Sequence, residues 1–174
     1  SAHIINANTI ESHSDSISVV WSNILDTLSN QQIKSRRNIV HKYGELLSIN
    51  GTVQSAKGRV PSLCGPSLFW SCSSSKYWNK ETVNFLANDW DIQILRCPMS
   101  IAPGIANKRT WNDNNLFHNP EESLRMMDEV VSAAIENDIY VIIDFHEHRA
   151  EILKPEALFF FEYMSRKWGE YDHV

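Results

Sequence analysis

Three polar side chains, those of Asp144, His146 and His148, follow an apolar run at residues 139–143 and stand at every second position. Because residues two apart in a β-strand share one face, we expect a column of one carboxylate and two imidazoles. Such a column can hydrogen-bond neighbouring loops or act on a ligand, and its groups also suit zinc. The apolar run is typical of a buried parallel strand, at whose carboxyl end ligand sites lie.

The composition describes one globular domain and restricts its partners. Of the 174 residues, 43% are hydrophobic, which is enough for a single core. The formal net charge of -5, with scattered Lys and Arg, argues against nucleic acid and favours neutral or polar small substrates. No run approaches the ~20 apolar residues of a membrane span. The three cysteines, Cys64, Cys72 and Cys97, are too few for a disulfide framework.

Residues 1–42 differ in composition from the rest of the chain, because they are rich in Ser, Asn and Gln. Apolar residues recur at helical spacing around residues 19–28, so we interpret the segment as a leader or accessory segment with one helix. Beyond it, Asn50 and Gly51 lie between short apolar runs and predict a β-hairpin. Lys57 and Gly58 predict a second turn.

Three strand-then-helix units follow the hairpin. We expect the strands near residues 60–64, 92–97 and 139–143. The helices are expected to begin after Asn79, after Asn119 as N-cap with Pro120 at the first position, and near Pro155. A repeated strand-helix order requires a parallel sheet, either doubly wound or a (β/α) barrel. Three units cannot close an eight-stranded barrel, so the barrel alternative is a partial one that is poorly stable alone. The helix residues predicted to be buried are Val83, Leu86, Trp90, Leu124, Met127, Val131, Ala134, Ile135, Leu158, Phe161, Met164 and Trp168.

The order and wording of several segments carry a resemblance to a known family. These segments are "SLFW", "YWNKETVNFLANDWDIQILRCPMS", "NPEESLRMMDEVVSAAIENDIYVIIDFHEHRAE" and "FFFEYMSRKWGEYDHV". Residues 43–174 resemble the first half of bacterial-type cellulases of glycoside hydrolase family 5. The resemblance implies the first three units of a (β/α)8 barrel, preceded by the hairpin and by residues 1–42.

The resemblance also implies hydrolysis of β-1,4-glucan with retention, without cofactor or metal, by a secreted monomer. Two glutamates perform this reaction in the family, one as acid/base in an Asn-Glu-Pro motif after the fourth strand and one as nucleophile after the seventh. No Asn-Glu-Pro occurs in the 174 residues. We therefore expect a fragment of an endo-β-1,4-glucanase that lacks both catalytic glutamates and is inactive alone.

The residues that carry over are supporting ones. Arg96 matches the family arginine near the nucleophile, and His146 matches the histidine of the third strand that lines the subsite beside the scissile bond. Trp70 matches an aromatic platform on which a sugar can stack. Trp70, His146 and His148 are thus the candidate substrate-binding residues, while His148 and Asp144 also hold the loop and the imidazole in place.

The sequence departs from the family pattern at three points near these residues. Phe145 stands where the family usually has Trp, and Ser100 stands where relatives carry Tyr or Gly. The Gly-rich segment that follows in relatives is reduced to "APG". These departures affect the loop contacts that a sugar would make.

Other interpretations of the same residues remain open. The chain could be a non-catalytic truncated glucan-binding protein, or a metal-dependent amidohydrolase-type enzyme with zinc on His146 and His148. His118 and His173 are the further metal-ligand candidates. Two acidic residues, Glu147 and Glu151, are interpreted as solvated surface groups. Two loop tryptophans, Trp78 and Trp111, are expected either to stack on sugar or to cover the core.

Overall fold

A computed structural model describes Ser22, Asn23, residues 38–101 and residues 115–174. Ser22 and Asn23 are helical and exposed, and the rest of the helix predicted around residues 19–28 lies outside the described residues. Trp111 also lies outside them. The described residues from Asn38 onward belong to one compact unit, Arg37–Val174, and the two earlier ones belong to another, Ser1–Arg36.

The unit Arg37–Val174 alternates helices and strands along its chain. Its elements are α1 (Ile39–Tyr43), β1 (Leu46–Ile49), β2 (Thr52–Ser55), α2 (Ser71–Ser74), a 3₁₀ turn (Ser75–Tyr77), α3 (Lys80–Asp89), β3 (Ile94–Ser100), α4 (Pro120–Glu136), β4 (Tyr140–His146), a second 3₁₀ turn (Ala150–Ile152) and α5 (Lys154–Trp168). Within the described ranges, no helix is long and apolar enough to cross a membrane.

The predicted hairpin is confirmed. β1 pairs antiparallel with β2, and Ile49 faces Thr52 across the turn. Asn50 and Gly51 both have positive φ, at 51° and 76°, which is the backbone that a two-residue turn needs to match the strand twist. The second turn is also present, because Gly58 has φ 73° and its N–H donates to the carbonyl of Ser55.

Two parallel strands form the centre of the unit. β3 and β4 pair in register from Ile94 opposite Tyr140 to Ser100 opposite His146. The helix between them, α4, packs on both strands, as expected of a strand-helix-strand unit. The predicted strand at 139–143 is thus confirmed and extends to His146, whereas the one at 92–97 begins and ends later than expected.

The strand predicted near residues 60–64 is wrong. Those residues belong to no strand, and the segment after them pairs with β3 through an isolated parallel bridge between Ser67 and Arg96. Pro61 and Pro66 lack the N–H that a ladder needs. Gly65 lies so close to β3 that an added Cβ would stand 1.6 Å from the carbonyl oxygen of Ile94. The first strand position is therefore an irregular segment that runs parallel to β3, with backbone hydrogen bonds from Arg96 N–H to Pro66 and from Leu68 N–H to Arg96.

The core lies between the sheet and the helices. Leu95, Cys97 and Met99 of β3 are fully buried, as are Met127 and Val131 of α4. Asn79 caps α3 by accepting the N–H of Thr82, as predicted. The side chain of the residue before α4, by contrast, makes no capping hydrogen bond, which corrects the prediction for Asn119.

The predicted helix faces need three corrections. Trp90 is 63% exposed because it follows α3 as the capping residue and lies outside the buried face. In α5 the buried residues are Phe160, Met164 and Trp168, whereas Leu158 and Phe161 are exposed. Leu124 and Ile135 of α4 are only partly buried against the core. The remaining predicted residues, Val83, Leu86, Met127, Val131, Ala134, Met164 and Trp168, are buried.

Candidate functional site

The adjacent strands β3 and β4 bring three charged or titratable side chains into contact. Arg96 Nη2 lies 2.5 Å from Asp144 Oδ2 and 3.2 Å from His146 Nδ1. Asp144 Oδ2 also lies 3.1 Å from His146 Nδ1. Alternation in the two parallel strands explains this meeting, because Arg96, Asp144 and His146 all point to the face opposite the helices. We call these three residues the polar cluster.

The polar cluster fixes one nitrogen of the His146 ring and leaves the other for a ligand. If Nδ1 carries the proton, it donates to Asp144, and if it does not, it accepts from Arg96. In either tautomer the contact of Nδ1 orients the ring. Nε2 is an acceptor when Nδ1 carries the proton and a donor when it does not. The side chain of His146 is 23% exposed, so the ring is held but open to solvent on one side.

Trp70 covers the polar cluster. It immediately precedes α2, and its ring centroid lies 4.7 Å from that of His146 in an edge-to-face arrangement. The ring of His148 lies 5.5 Å from Trp70 and 6.0 Å from His146. The structure therefore brings Trp70, from a separate part of the sequence, together with His146 and His148.

The predicted column of Asp144, His146 and His148 is correct only for its first two members. β4 ends at His146, and His148 is an exposed residue of the turn that follows. A three-residue column would need the strand to continue for two more residues. The imidazole of His148 reaches the site because the turn folds back toward Trp70, not because of strand alternation.

A buried group of serine and cysteine side chains anchors α2 to the end of β3. Ser71 Oγ accepts the N–H of Ser100 at 3.0 Å and contacts Met99 Sδ at 3.3 Å. Ser100 Oγ accepts the N–H of Cys72 at 3.2 Å and donates to Cys72 Sγ at 3.0 Å. We call Ser71, Cys72 and Ser100 the serine lock. Since Ser71 follows Trp70 directly, the lock fixes the backbone that carries the Trp70 ring.

The serine lock was missed by the sequence analysis. The signal available was Ser100 itself, because a hydroxyl residue at the end of a core strand needs a buried hydrogen-bond partner. Burial raises the pKa of the Cys72 thiol. Burial, and then the charge of Asp144, raises the pKa of the Cys97 thiol beneath the cluster. A raised pKa leaves less of each thiol in the reactive thiolate form.

The other candidates of the sequence analysis lie in different surroundings. Trp78 is buried and belongs to the core. His118 contacts Asn115, and His173 lies 3.3 Å from Asp138 at the amino end of β4. In the described parts of the chain, no group of three His, Cys, Asp or Glu side chains is placed to hold a metal ion. The guanidinium of Arg96 against His146 further disfavours a cation there.

The two acidic residues Glu147 and Glu151 lie in the turns that follow β4. Glu147 Oε1 accepts the N–H of Arg149 at 3.2 Å within the turn. Glu151 is an exposed residue of the second 3₁₀ turn. The exposure of Glu151 agrees with the interpretation as a surface group, whereas Glu147 is half-buried.

Comparison with known proteins identifies the family of this chain. The family model described as cellulase (glycosyl hydrolase family 5) matches residues 53–174. The chain belongs to glycosyl hydrolase family 5. This family-5 chain is 35% identical to endoglucanase Z of Dickeya dadantii over 133 residues, which are 75% of this chain and 29% of that protein. It is 24% identical to an endoglucanase of Clostridium saccharobutylicum over 75% of its own length and 28% of the relative's.

Solved structures agree on the fold. A structure from Cytophaga hutchinsonii is similar with a TM-score of 0.70 and 33% identity, covering 79% of the family-5 chain and 42% of the other. The catalytic domain of Thermobifida fusca endoglucanase Cel5A in complex with cellotetraose is similar in fold, with a TM-score of 0.67 and 20% identity over 79% and 43%. The family-5 chain thus spans less than a third of the curated relatives and less than half of these structures. The predicted partial (β/α)8 barrel is confirmed.

Proposed function

We propose that this chain forms the N-terminal part of the catalytic domain of an endo-β-1,4-glucanase and supplies one wall of its glucan-binding cleft. The observation that carries the proposal is the contact of Trp70 with the polar cluster at the carboxyl end of β3 and β4. This is the end of a (β/α) barrel at which ligands bind. The relatives that match the chain in sequence include endoglucanases.

The arrangement suits a sugar because it combines a flat apolar ring with directional polar groups. Trp70 stacks on the apolar face of a glucosyl unit. Nε2 of His146 forms a hydrogen bond with a sugar hydroxyl, because Nδ1 already contacts Arg96 and Asp144. His148 is exposed and adjoins the same ring, where it contacts the edge of the bound sugar.

Arg96 has a different part in the proposal. Its Nη1 donates to Ser67 Oγ at 3.3 Å, and its Nη2 is held by Asp144, so the guanidinium is fixed on two sides. Its side chain is 41% exposed and faces the cleft. In a protein that also supplies the nucleophilic glutamate, a fixed positive charge here stabilises the ionised carboxylate.

Retaining hydrolysis needs one carboxylic acid as proton donor and one carboxylate as nucleophile. The 174 residues contain no Asn-Glu-Pro, and Glu147 Oε1 accepts the N–H of Arg149 within its own turn. We therefore propose that the 174 residues recognise glucan but do not cleave it themselves. The proposal includes an extracellular location, because cellulases act on a polymer outside the cell, and a monomer that needs no metal or cofactor.

The test compares hydrolysis and binding in one set of proteins. The 174-residue chain is expected to release no reducing sugar from carboxymethylcellulose, whereas endoglucanase Z of Dickeya dadantii serves as the positive control. In affinity electrophoresis through a gel containing carboxymethylcellulose, the chain is expected to be retarded.

Two variants test the binding in the same electrophoresis experiment. Trp70→Ala is expected to abolish the retardation, and Trp90→Ala is expected to retain it, because Trp90 is an exposed tryptophan at the opposite end of the strands. Unretarded wild-type protein that is folded by circular dichroism would contradict the binding proposal. Reducing-sugar release by the 174-residue chain would contradict the proposal that these residues do not cleave glucan themselves.

A further inference from the structure

Phe69 is an exposed aromatic residue beside the proposed sugar site that the family resemblance does not assign. Its ring is 64% exposed, although it directly precedes Trp70. The centroids of the two rings lie 6.3 Å apart, and their planes differ by 20°. At this separation, parallel rings are offset, so each leaves part of its face open. The pair thus presents two nearly parallel apolar faces.

The backbone that carries Phe69 is fixed on both sides. The preceding Leu68 is buried, and its N–H donates to the carbonyl of Arg96 at 2.9 Å. The indole N–H of Trp78, which is fully buried, donates to the carbonyl of Phe69 at 2.9 Å. A residue held by two buried neighbours keeps its side chain in one region of the surface. Phe69 is therefore a preorganised exposed ring rather than a flexible one.

A single exposed apolar side chain is ordinary on a protein surface. Phe69 differs from such a residue in two ways. Its ring plane lies within 20° of the Trp70 plane, and the serine lock fixes the following Ser71 and Cys72 to the end of β3. Successive glucosyl units of a β-1,4 chain are joined by one oxygen and form a flat ribbon with apolar faces. A ribbon lying on Trp70 can therefore continue over a second ring of nearly the same orientation.

We propose that Phe69 forms a second stacking subsite, which binds the glucosyl unit next to the one on Trp70. The inference rests on the proposed function, which it extends from one sugar unit to an extended chain. Phe69 offers no hydrogen-bonding group in its side chain, whereas Trp70 has the polar cluster beside it. The second subsite consequently adds affinity for longer oligosaccharides without recognising particular hydroxyls.

The experiment measures the affinity of the 174-residue chain for cellobiose and for cellotetraose by isothermal titration calorimetry. Phe69→Ala is expected to weaken cellotetraose binding about three- to tenfold and to leave cellobiose binding on Trp70 nearly unchanged. Phe69→Tyr is expected to retain the wild-type affinities, because the ring is kept. Phe69→Leu is expected to behave like Phe69→Ala, because an apolar side chain without a ring cannot stack.

Phe85→Ala is the matched control, because Phe85 is an exposed phenylalanine of α3. If Phe69→Ala binds both sugars as the wild type does while Trp70→Ala loses them, the second subsite is disproved and the proposed function stands. If Phe69→Leu keeps the wild-type preference for cellotetraose, stacking is not the cause and the inference fails. If the folded wild type binds neither sugar, the proposed function fails and the second subsite fails with it.

Discussion

Arg96 and Asp144 lie 48 residues apart in the sequence, yet their side chains meet at 2.5 Å across two parallel strands. The register explains the meeting, because Arg96 is opposite Ile142 and Asp144 is the next residue on the same face of β4. One oxygen of Asp144 faces both the guanidinium and the imidazole of His146. The carboxylate therefore orients the two groups that the proposed function assigns to the cleft.

Replacing Asp144 by Asn should weaken glucan binding more than it weakens the fold. The amide carries no charge, so the guanidinium loses its counter-ion and the His146 ring loses the negatively charged acceptor beside Nδ1. The ion pair is partly exposed, and we expect a loss of only about 1 kcal/mol in the free energy of unfolding. Affinity for cellotetraose should fall severalfold, as calorimetry would show.

Asp89→Asn is the control for that measurement, since Asp89 is an exposed carboxylate at the end of α3. It should change neither the affinity nor the urea midpoint. Equal affinity in Asp144→Asn and in the wild type would show that the polar cluster does not orient the sugar-binding groups.

Removing the hydroxyl of Ser100 should loosen the attachment of α2. In Ser100→Ala, the buried N–H of Cys72 loses the oxygen that accepts it, which costs about 1 to 3 kcal/mol of unfolding free energy. The ring of Trp70 should also become more mobile, so cellotetraose affinity should fall in protein that is still folded. Urea unfolding and calorimetry on the same sample give the two quantities.

Ser165→Ala provides the comparison, because the Ser165 hydroxyl donates to a helix carbonyl on the exposed side of α5. It should be close to wild type in both quantities. A Ser100→Ala protein that is destabilised but binds with unchanged affinity would limit the serine lock to a structural role.

The three thiols should differ sharply in reactivity. Cys64 is exposed, whereas Cys72 and Cys97 are buried, and burial raises the pKa of both buried thiols. A raised pKa leaves less thiolate at a given pH, and the thiolate is the reactive form. At pH 8, iodoacetamide should label Cys64 alone in the folded chain, with all three labelled in urea, as mass spectrometry of peptides would show. Rapid labelling of Cys72 without urea would contradict the packing of the serine lock.

Tyr140 should make the fold sensitive to alkali. Burial, followed by the charges of Asp172 and Asp138, raises the pKa of Tyr140 from 10.0 to about 12. Above pH 10 the unfolded chain therefore releases a proton that the folded chain retains, so the free energy of unfolding falls as pH rises toward 12. The decrease should be on the order of 2 kcal/mol, and urea midpoints between pH 8 and pH 11.5 would show its onset.

Tyr140→Phe should flatten this decrease, since it has no proton to release. At neutral pH it should cost about 1 kcal/mol, because the hydroxyl donates to the carbonyl of Gly44 at 2.5 Å. The same slope in the variant and in the wild type would assign the alkaline sensitivity to another group.

Local chemistry made part of the fold predictable from the sequence. Asn50 and Gly51 specify a turn by their own backbone preferences, and the apolar run before Asp144 specifies a buried strand. The first strand was wrong because Pro61 and Pro66 outweigh the apolar residues between them. The prediction for the buried face of α5 was wrong by one residue, because it named Phe161 where Phe160 is buried. Adjacent residues of a helix point in directions about 100° apart, so an error of one residue exchanges a buried side chain for an exposed one.

The candidate site was predictable to the extent that strand ends determine it. Arg96 and His146 lie on the same face of two neighbouring parallel strands, so their meeting follows from fold class and alternation. The serine lock depends on how α2 lies against β3, which no periodicity in the sequence encodes. The position of His148 depends on the turn after β4, and turn geometry of this kind is not specified by residue type alone.

The central claim is that Trp70 and His146 bind β-1,4-glucan, and its most direct measurement is a titration of isotope-labelled 174-residue chain with cellotetraose by nuclear magnetic resonance. The Trp70→Ala and His146→Ala spectra assign the two ring signals. We expect saturable shifts of the Trp70 indole and His146 ring signals, with the Trp90 indole signal unchanged. Unshifted Trp70 and His146 signals at high cellotetraose concentration in folded protein would contradict the claim.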